Sequence, residues 1–310
     1  MLNRRKLLKT LSASAVSPLI PLQGKPETSA ISGARSKYTY CLNMATLRGH
    51  KLGFMKELEI AAKADFRSVE IWLDTLQEYL DAGGSIAEVR KRLDGFGIKV
   101  ENAIGFAEWI VDDDTARKMG IAQMKREMDL LAQIGCKRIA APPAGATDVA
   151  GLDLKKIAER YRVILEMGDQ TGVVPQLEIW GFSKNISRTS EALYVAIESG
   201  HPSARVLPDI FHLYKGGSST DTLALIGKPA VEIIHINDYP ANISAAAITD
   251  ADRIHPGDGV APIQRILKIL QHPDRPLILS EEVFNQYYYS QDALEVARTA
   301  LNKMKAVTKD

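Results

Sequence analysis

Four ionisable residues follow short apolar runs in the second half of the 310-residue chain: Glu178, Asp209, His235 and Glu282. Burying a lone carboxylate is costly, and three converging carboxylates would repel one another unless a cation lay between them. Three oxygen ligands and one imidazole suit Mn²⁺, Mg²⁺ or Co²⁺, whereas Zn²⁺ sites usually contain more His or Cys. The pattern predicts one divalent metal ion, although each group could instead have its own salt bridge or hydrogen bond.

These residues are far apart in the sequence, so the fold must bring them together. Short β-rich runs alternate with longer helical patterns along the chain, which predicts alternating strands and helices. Strands are predicted at 38–42, 68–73, 99–103, 138–141, 176–180, 206–211, 232–237 and 277–283. Helices are predicted at 53–64, 86–95, 115–134, 154–171, 190–199, 220–226, 262–271 and 291–307. Eight strand–helix pairs predict an α/β protein with a (β/α)8 TIM barrel, whose functional residues stand at the C-terminal strand ends. Without a Gly-x-Gly-x-x-Gly segment after a strand, a dinucleotide-binding sheet is disfavoured.

The composition is that of a globular protein, with 45% apolar and 25% charged residues. The formal net charge is +1, so no charge excess indicates a nucleic-acid partner, and a small molecule is the expected ligand. We expect a single barrel domain over 38–310 after an extended segment at 25–37, with oligomerisation left open. Cys41 and Cys136 are expected to stay buried and unpaired.

Residues 1–24 have the pattern of an export signal. Arg4 and Arg5 precede an uncharged stretch at 10–22, and these adjacent arginines resemble the twin-arginine signal, whose transporter moves folded proteins. Pro18 and Pro21 interrupt the apolar run, so no stable membrane anchor is expected once the signal is removed. We expect a periplasmic protein, the alternative being a cytosolic protein whose first helix is basic.

The same residues carry a resemblance to the xylose isomerase-like TIM barrels, a family of sugar-phosphate isomerases and epimerases, ketose 3-epimerases and inosose dehydratases. The resemblance runs from about Tyr38 to Val307 and is most specific in the second half. The matching elements are the fifth-strand Glu178, the Asp-x-x-His pair Asp209 and His212, the seventh-strand His235, the Arg-x-x-Pro-Gly-x-Gly loop at 253–259 and the eighth-strand segment 282–285. Residues 68–72 also resemble the second strand of the family.

The resemblance implies that Glu178 and Glu282 stand on opposite faces of the reacting carbon and exchange its proton. We expect Glu282 to abstract the proton and Glu178 to return it, beside an enediolate that the metal stabilises. Glu282 is preferred to its neighbour Glu281 because the segment Ser-x-Glu-Val-Phe-Asn aligns with the family pattern. Neighbours on a strand point to opposite faces, so Glu281 then needs a salt-bridge partner among the helices.

Four further residues are expected to bind the substrate. By resemblance His212 contacts a substrate oxygen, or else it orients a metal ligand. Arg253 offers a fork of donors to a hydroxyl or carboxylate. Glu70 and Trp72 share one face of their strand, and Glu70 is favoured as a polar wall of the site. Trp109, after the third strand, is expected to close over a sugar face.

The resemblance implies a metal-dependent isomerase or epimerase of a sugar or keto-sugar. The alternative is a dehydratase or lyase that acts on an inosose or 3-keto-sugar through the same site. No glycine-rich phosphate cradle follows strands seven and eight, so free sugars or oxidised glycosides are favoured over sugar phosphates. A zinc nuclease fits poorly with six histidines, and a non-catalytic sugar-binding barrel would not need four buried ionisable groups.

Overall fold

The computed structural model describes residues 36–309, and parallel strands form the centre of that part of the chain. The strands are β1 Tyr38–Asn43, β2 Ser68–Trp72, β3 Lys99–Ile104, β4 Arg138–Ala141, β5 Val174–Glu178, β6 Arg205–Leu207, β7 Ile233–Ile236 and β8 Leu277–Glu281. Hydrogen-bonded ladders join them in the orders β3-β2-β1-β8-β7 and β4-β5-β6. β3 packs beside β4 and β6 beside β7. Neighbouring strands therefore follow the chain order around a barrel, and the predicted (β/α)8 fold is confirmed.

Helices alternate with the strands. They are α1 Ala45–Arg48, α2 Phe54–Lys63, α3 Leu73–Asp81, α4 Ile86–Phe96, α5 Asp114–Gln133, α6 Leu154–Thr171, α7 Thr189–Glu198, α8 Ile210–Lys215, α9 Ile263–Leu270, α10 Gln286–Tyr289 and α11 Ala293–Val307. Short 3-10 helices occupy Thr220–Ile226, Lys228–Ala230 and Asp250–Asp252. Within the described residues, none of these helices has the length and apolar character required to cross a membrane.

Helix α6 shows how the sequence fixes an element against the barrel. The Asp153 side chain accepts a hydrogen bond from the Lys155 amide at its start, and Gly172 ends it in the left-handed conformation with φ 74°. Ile157, Tyr161 and Ile164 are buried at helical spacing, which places one apolar face toward the strands. The Tyr161 hydroxyl lies 2.8 Å from the carbonyl oxygen of Arg205, so it also ties α6 to β6.

The end of the sixth strand differs from the prediction. The apolar run predicted a strand through residue 211, but β6 ends at Leu207 and α8 begins at Ile210. Asp209 caps this helix because its Oδ1 accepts a hydrogen bond from the His212 amide at 3.0 Å. His212 consequently lies on a helix and not in a loop.

Three other predictions concern the elements, the cysteines and the N-terminus. Helices α1, α3, α8 and α10 were not predicted, and 220–226, predicted as a helix, forms a 3-10 helix. Cys41 and Cys136 are buried and unpaired, as expected. The expected export signal at 1–24 and almost all of the expected extended segment lie outside the described residues.

Candidate metal centre and active site

Three side chains that can ligate a metal converge at the C-terminal ends of the strands. Glu178 ends β5, His235 lies on β7 and Glu282 follows β8, and one ligand atom of each lies within 4.8 Å of the other two. His235 Nδ1 is 3.2 Å from Glu282 Oε2 and 3.5 Å from Glu178 Oε1. All three residues are buried. Three of the four residues predicted to bind metal therefore form one cluster.

The cluster has the properties of a site that requires a cation. Glu178 Oε2 and His235 Nδ1 are buried and have no hydrogen-bond partner among residues 36–309. Buried polar atoms are normally paired, so these two are available as ligands. Burial, partly offset by His235, raises the pKa of Glu178 to about 8 with help from Glu282, Glu70 and Asp209. Burial alone would lower the pKa of His235, but Glu282 and Glu70 hold it well above its usual value. In the absence of a cation, protons on Glu178 and His235 therefore offset the negative charge of the clustered carboxylates. A divalent metal would supply the same positive charge, so the residues fit such an ion.

Asp209, the fourth predicted ligand, lies against the cluster but has a cationic partner. Its Oδ2 is 3.5 Å from His235 Nδ1 and 2.7 Å from Arg253 Nη1. The Asn237 amide also donates to both carboxylate oxygens at 3.2 Å. Burial would raise the pKa of Asp209, but Arg253, followed by His212, keeps it well below its usual range. The carboxylate is thus held in place by an ion pair as well as by hydrogen bonds.

Arg253 lines the cavity, and its donors are directed to protein groups. Nη1 lies 2.9 Å from Glu282 Oε2, and Nη2 lies 2.6 Å from Asp250 Oδ1. The guanidinium also stacks over Phe211, at 4.3 Å from the ring centroid. It is 1% exposed, so it neutralises buried carboxylates in addition to facing the cavity.

The loop at 253–259 is fixed by a carboxylate that follows β7. Asp238 Oδ2 accepts hydrogen bonds from the amides of Gly257 and Gly259, both at 3.0 Å. Gly257 has φ 89°, a conformation that residues with a Cβ rarely adopt. The Asp238 and Ile254 backbones pair as an isolated bridge. The glycines therefore serve the turn that holds Arg253 at the site.

His212 lines the same cavity and is 2% exposed. Its Nε2 is 3.1 Å from Arg253 Nη2, which can only donate, so Nε2 is the acceptor and Nδ1 carries the proton. Nδ1 is buried without a partner in the described part of the chain. Burial, against the attraction of Asp209, lowers the pKa of His212 to about 4, so the ring is neutral at pH 7. The Nδ1–H group therefore has no acceptor within residues 36–309.

Glu70 does not form a wall of the cavity, contrary to the sequence-based expectation. It has no exposed surface, and Trp72, two residues further along β2, lines the cavity. Both side chains point into the barrel, as the period of two requires, but Glu70 lies deeper along the strand. Trp72, and not Glu70, therefore forms part of the cavity wall.

Glu70 instead supports His235 from below. Its Oε1 is 3.1 Å from His235 Nε2 and accepts from Asn102 Nδ2 at 2.7 Å. Its Oε2 accepts from Asn43 Nδ2 at 3.1 Å and from the Ser280 hydroxyl. A metal-binding histidine commonly donates its second N–H to a carboxylate, which fixes the tautomer and the ring orientation. Glu70 is in the position to do this and leaves Nδ1 directed at the cluster.

Trp109 also differs from its expected place over the sugar. It is fully buried, its indole N–H donates to the Pro142 carbonyl at 2.9 Å, and its ring lies 5.9 Å from that of Tyr161. Packing against α6 removes this large apolar side chain from water. The free energy gained by this burial favours the packed position over an exposed one at the cavity. Phe106, three residues earlier, reaches the cavity from the same loop.

The two consecutive glutamates at the end of β8 point in opposite directions. Glu282 joins the cluster, whereas Glu281 Oε1 lies 2.6 Å from His255 Nδ1 and its Oε2 accepts from the Thr46 hydroxyl at 3.1 Å. His255 stacks on Tyr288 with ring centroids 4.1 Å apart. Glu281 therefore has a salt-bridge partner outside the cavity, but this partner lies on the loop at 253–259 and not among the helices as expected.

The cavity above the cluster has a volume of about 370 Å³. Its walls include five aromatic side chains, and the last four of them were not predicted from the sequence as part of the wall: Trp72, Phe106, Trp180, Phe182 and Phe284. Asn43 at the end of β1 and Asn237 after β7 were also missed, although they hold Glu282 and Asp209. Both follow apolar strands, so extending the search from ionisable to all polar strand ends would have found them.

The fold and site define a TIM barrel with an acidic metal centre, and the chain belongs to the xylose isomerase-like TIM barrel family, whose model matches residues 58–307. Inosose isomerase from Bacillus velezensis is 26% identical over 273 residues, 86% of this chain and 96% of the relative. The 3-dehydro-D-guloside 4-epimerase of Escherichia coli is 24% identical over 203 residues, 60% of this chain and 72% of the relative. The crystal structure of the IOLI protein with a binding zinc atom has a similar fold, with TM-score 0.78, 23% identity and coverage of 87% and 97%.

Proposed function

We propose that this protein is a metal-dependent isomerase or epimerase that acts on a sugar or keto-sugar by moving a proton next to a carbonyl. The observation that carries the proposal is the cluster of Glu178, His235 and Glu282 at the base of a cavity, with two buried ligand atoms that lack hydrogen-bond partners within residues 36–309. The similarity to inosose isomerase over 96% of that enzyme supports the reaction type.

Glu178, His235 and Glu282 would hold the metal, with Asp209 next to the same imidazole nitrogen. A divalent cation there would supply the positive charge that stabilises an oxygen anion beside the reacting carbon. The oxygen-rich set favours Mn²⁺, Mg²⁺ or Co²⁺, and the zinc atom in the IOLI protein structure keeps Zn²⁺ among the candidates. Elemental mass spectrometry of the purified protein identifies the ion.

The two glutamates differ in ways that suit opposite roles in proton transfer. Both oxygens of Glu282 accept hydrogen bonds, from Asn43 at 3.0 Å and from Arg253 at 2.9 Å, which fix the carboxylate as an acceptor facing the cavity. Glu178 has a pKa of about 8, raised first by burial, and its Oε2 has no hydrogen-bond partner in the described part of the chain. A carboxyl group with a raised pKa can hold the proton that is returned, and a carboxylate that only accepts hydrogen bonds can take one. Glu282 removes the proton and Glu178 returns it.

The charges around the cavity favour a substrate without a phosphate group. Arg253 is the one cationic side chain of residues 36–309 that lines the cavity, and it is paired with Asp209, Asp250 and Glu282. A phosphate would have to compete with these carboxylates for the guanidinium. Free sugars or keto-glycosides are therefore the proposed substrates.

The test is deuterium exchange into a panel of keto-sugars in D₂O, catalysed by the metal-loaded protein. Glu282→Gln should lower exchange by about 10²- to 10⁴-fold, the usual contribution of a positioned base. Glu281→Gln is the matched control, since it makes the same change one residue away, outside the cavity, and should retain exchange. Undiminished exchange by Glu282→Gln at equal metal content would refute the role of Glu282. Exchange accompanied by loss of a substituent would assign the dehydratase or lyase reaction instead.

We also propose that the protein reaches the periplasm through the twin-arginine route. The adjacent Arg4 and Arg5, followed by an uncharged stretch, support this proposal. Changing both arginines to lysine should leave the protein in the cytoplasmic fraction, whereas Lys6→Arg should not. Equal export of the double variant would exclude this route.

A further inference from the structure

Five aromatic side chains form an arc around the mouth of the cavity. This aromatic collar consists of Trp72 at the end of β2, Phe106 after β3, Trp180 and Phe182 after β5, and Phe284 after β8. Successive ring centroids lie 5.3 to 6.1 Å apart, from Phe284 through Trp72, Phe106 and Trp180 to Phe182. Side chains from four different strand ends have thus been brought into one continuous apolar surface.

Two polar side chains complete the circle. The Phe182 ring is 5.2 Å from that of His212, and His212 Nε2 is 3.1 Å from Arg253 Nη2. The Arg253 guanidinium is in turn 5.2 Å from the Phe284 ring centroid. A ligand that reaches Glu178 and Glu282 from solvent therefore passes through a ring of side chains, most of it aromatic.

Part of the collar is exposed to solvent, although large aromatic side chains are usually buried in a folded protein. Phe106 is 39% exposed and Phe182 is 41% exposed. Contiguous exposed apolar surface at a cavity marks a binding region. The proposed reaction takes place on the carboxylate floor, so the collar contacts the part of the substrate that does not react.

A free hexose would use only part of this surface. The C–H faces of its ring can stack on aromatic side chains, but the hydroxyl groups at its edge that are directed at the collar would lose water without gaining partners, which costs binding energy. The substrate therefore needs a polar part for the floor and an apolar part for the collar.

We propose that the substrate is a glycoside with an aromatic aglycone, and that the collar binds the aglycone while the sugar occupies the floor. This inference rests on the proposed function. Aromatic rings favour edge-to-face and offset contacts with one another, and the tilted rings of the collar present both edges and faces. A second sugar ring in place of the aglycone would need hydrogen-bonding groups on several sides. The collar offers aromatic rings, and the donors of Arg253 are already directed at Asp209, Asp250 and Glu282, which leaves His212 and Gln286 as the uncharged polar side chains of the lining.

The experiment measures dissociation constants of unoxidised probes with the metal-loaded protein. The probes are the phenyl and methyl β-glycosides of glucose, galactose and xylose, with cellobiose as the two-sugar probe, titrated by ligand-observed NMR. At least one phenyl glycoside should bind about tenfold more tightly than its methyl counterpart, because its ring is buried among aromatic side chains. Trp180→Ala and Phe182→Ala should each bring this ratio toward one.

Two variants separate aglycone binding from folding. Tyr194→Ala on α7 removes an aromatic side chain of similar exposure, 43%, away from the cavity and should leave the ratio unchanged. Trp180→Phe keeps an aromatic ring and should restore most of the preference. No phenyl preference for any sugar, a preference that survives both alanine variants, or tighter binding of cellobiose than of phenyl glucoside would overturn the assignment.

The probes carry no carbonyl, so their binding does not depend on turnover. A tenfold phenyl preference without deuterium exchange into any keto-sugar would count against the proposed reaction and support the collar assignment. Exchange without any phenyl preference would support the reaction and overturn the collar assignment alone.

Discussion

Substituting Glu70 by glutamine tests whether this buried carboxylate controls the metal centre through His235. Glu70 accepts from four donors, those of His235 and Asn102 on one oxygen and those of Asn43 and Ser280 on the other. Glutamine has the same shape but only one oxygen, so its amide NH₂ must face one of these two pairs. If the NH₂ group faces Asn43 and Ser280, N–H donors oppose each other. If it faces His235 and Asn102, the imidazole must accept a hydrogen bond, which changes its tautomer.

The contacts give the size of the effect. If the amide NH₂ faces Asn43, two buried N–H groups oppose each other, which costs about 1–3 kcal/mol of folding free energy. If it faces His235, the ring can accept only with its proton on Nδ1, the atom directed at Glu178 and Glu282. Loss of such a supporting carboxylate typically weakens metal binding about 10- to 100-fold. We expect Glu70→Gln to show both effects.

The assay is metal affinity by chelator competition, combined with urea unfolding of the metal-free protein. Glu101→Gln is the matched control: Glu101 is a buried carboxylate on β3, paired with Lys99 at 2.8 Å and Arg138 at 3.4 Å near the amino ends of the strands. It should lose stability and keep its metal affinity. Wild-type metal affinity in Glu70→Gln would refute the argument, as would an equal loss in both variants.

Two further predictions concern stability. Arg253→Met should cost about 3–5 kcal/mol in the metal-free protein, because Asp209 and Glu282 lose their buried cation. Urea unfolding measures this, and Arg298→Met, which removes an exposed pair, should cost less than about 1 kcal/mol. Burial raises the pKa of Glu57 to about 7, above its unfolded value, so its contribution to stability is complete below about pH 4 and falls as pH rises through 7. Glu57→Gln should therefore gain on the order of 3 kcal/mol relative to wild type between pH 4.5 and 8, and a constant difference would contradict this.

The barrel and much of its metal centre could be predicted from local patterns. Alternating strands and helices indicated the (β/α)8 fold, and ionisable residues at strand ends pointed to Glu178, Asp209, His235 and Glu282. The structure confirms the fold and gathers these residues at one end of it. The C-terminal ends of all the strands of a barrel lie at the same rim, so residues at the ends of different strands lie close together.

Other residues show where local patterns are insufficient. The period of two places Glu70 and Trp72 on the same face, but the depth of each side chain depends on the neighbouring strands. Asn102 on β3 and Ser280 on β8 surround Glu70, whereas Trp72 ends its strand at the cavity. Trp109 likewise packs against α6, a partner distant in sequence.

The sequence by itself determined the order of elements and the types of groups at the strand ends, because these depend on neighbours along the chain. Only the tertiary structure decided that Arg253 neutralises Asp209 and Glu282, that Glu70 supports His235, and that the aromatic collar surrounds the cavity. The contacts of Arg253 and Glu70 join residues 29 to 165 positions apart, and the collar combines residues from four strand ends, so their distances are set by how eight strands close around one core.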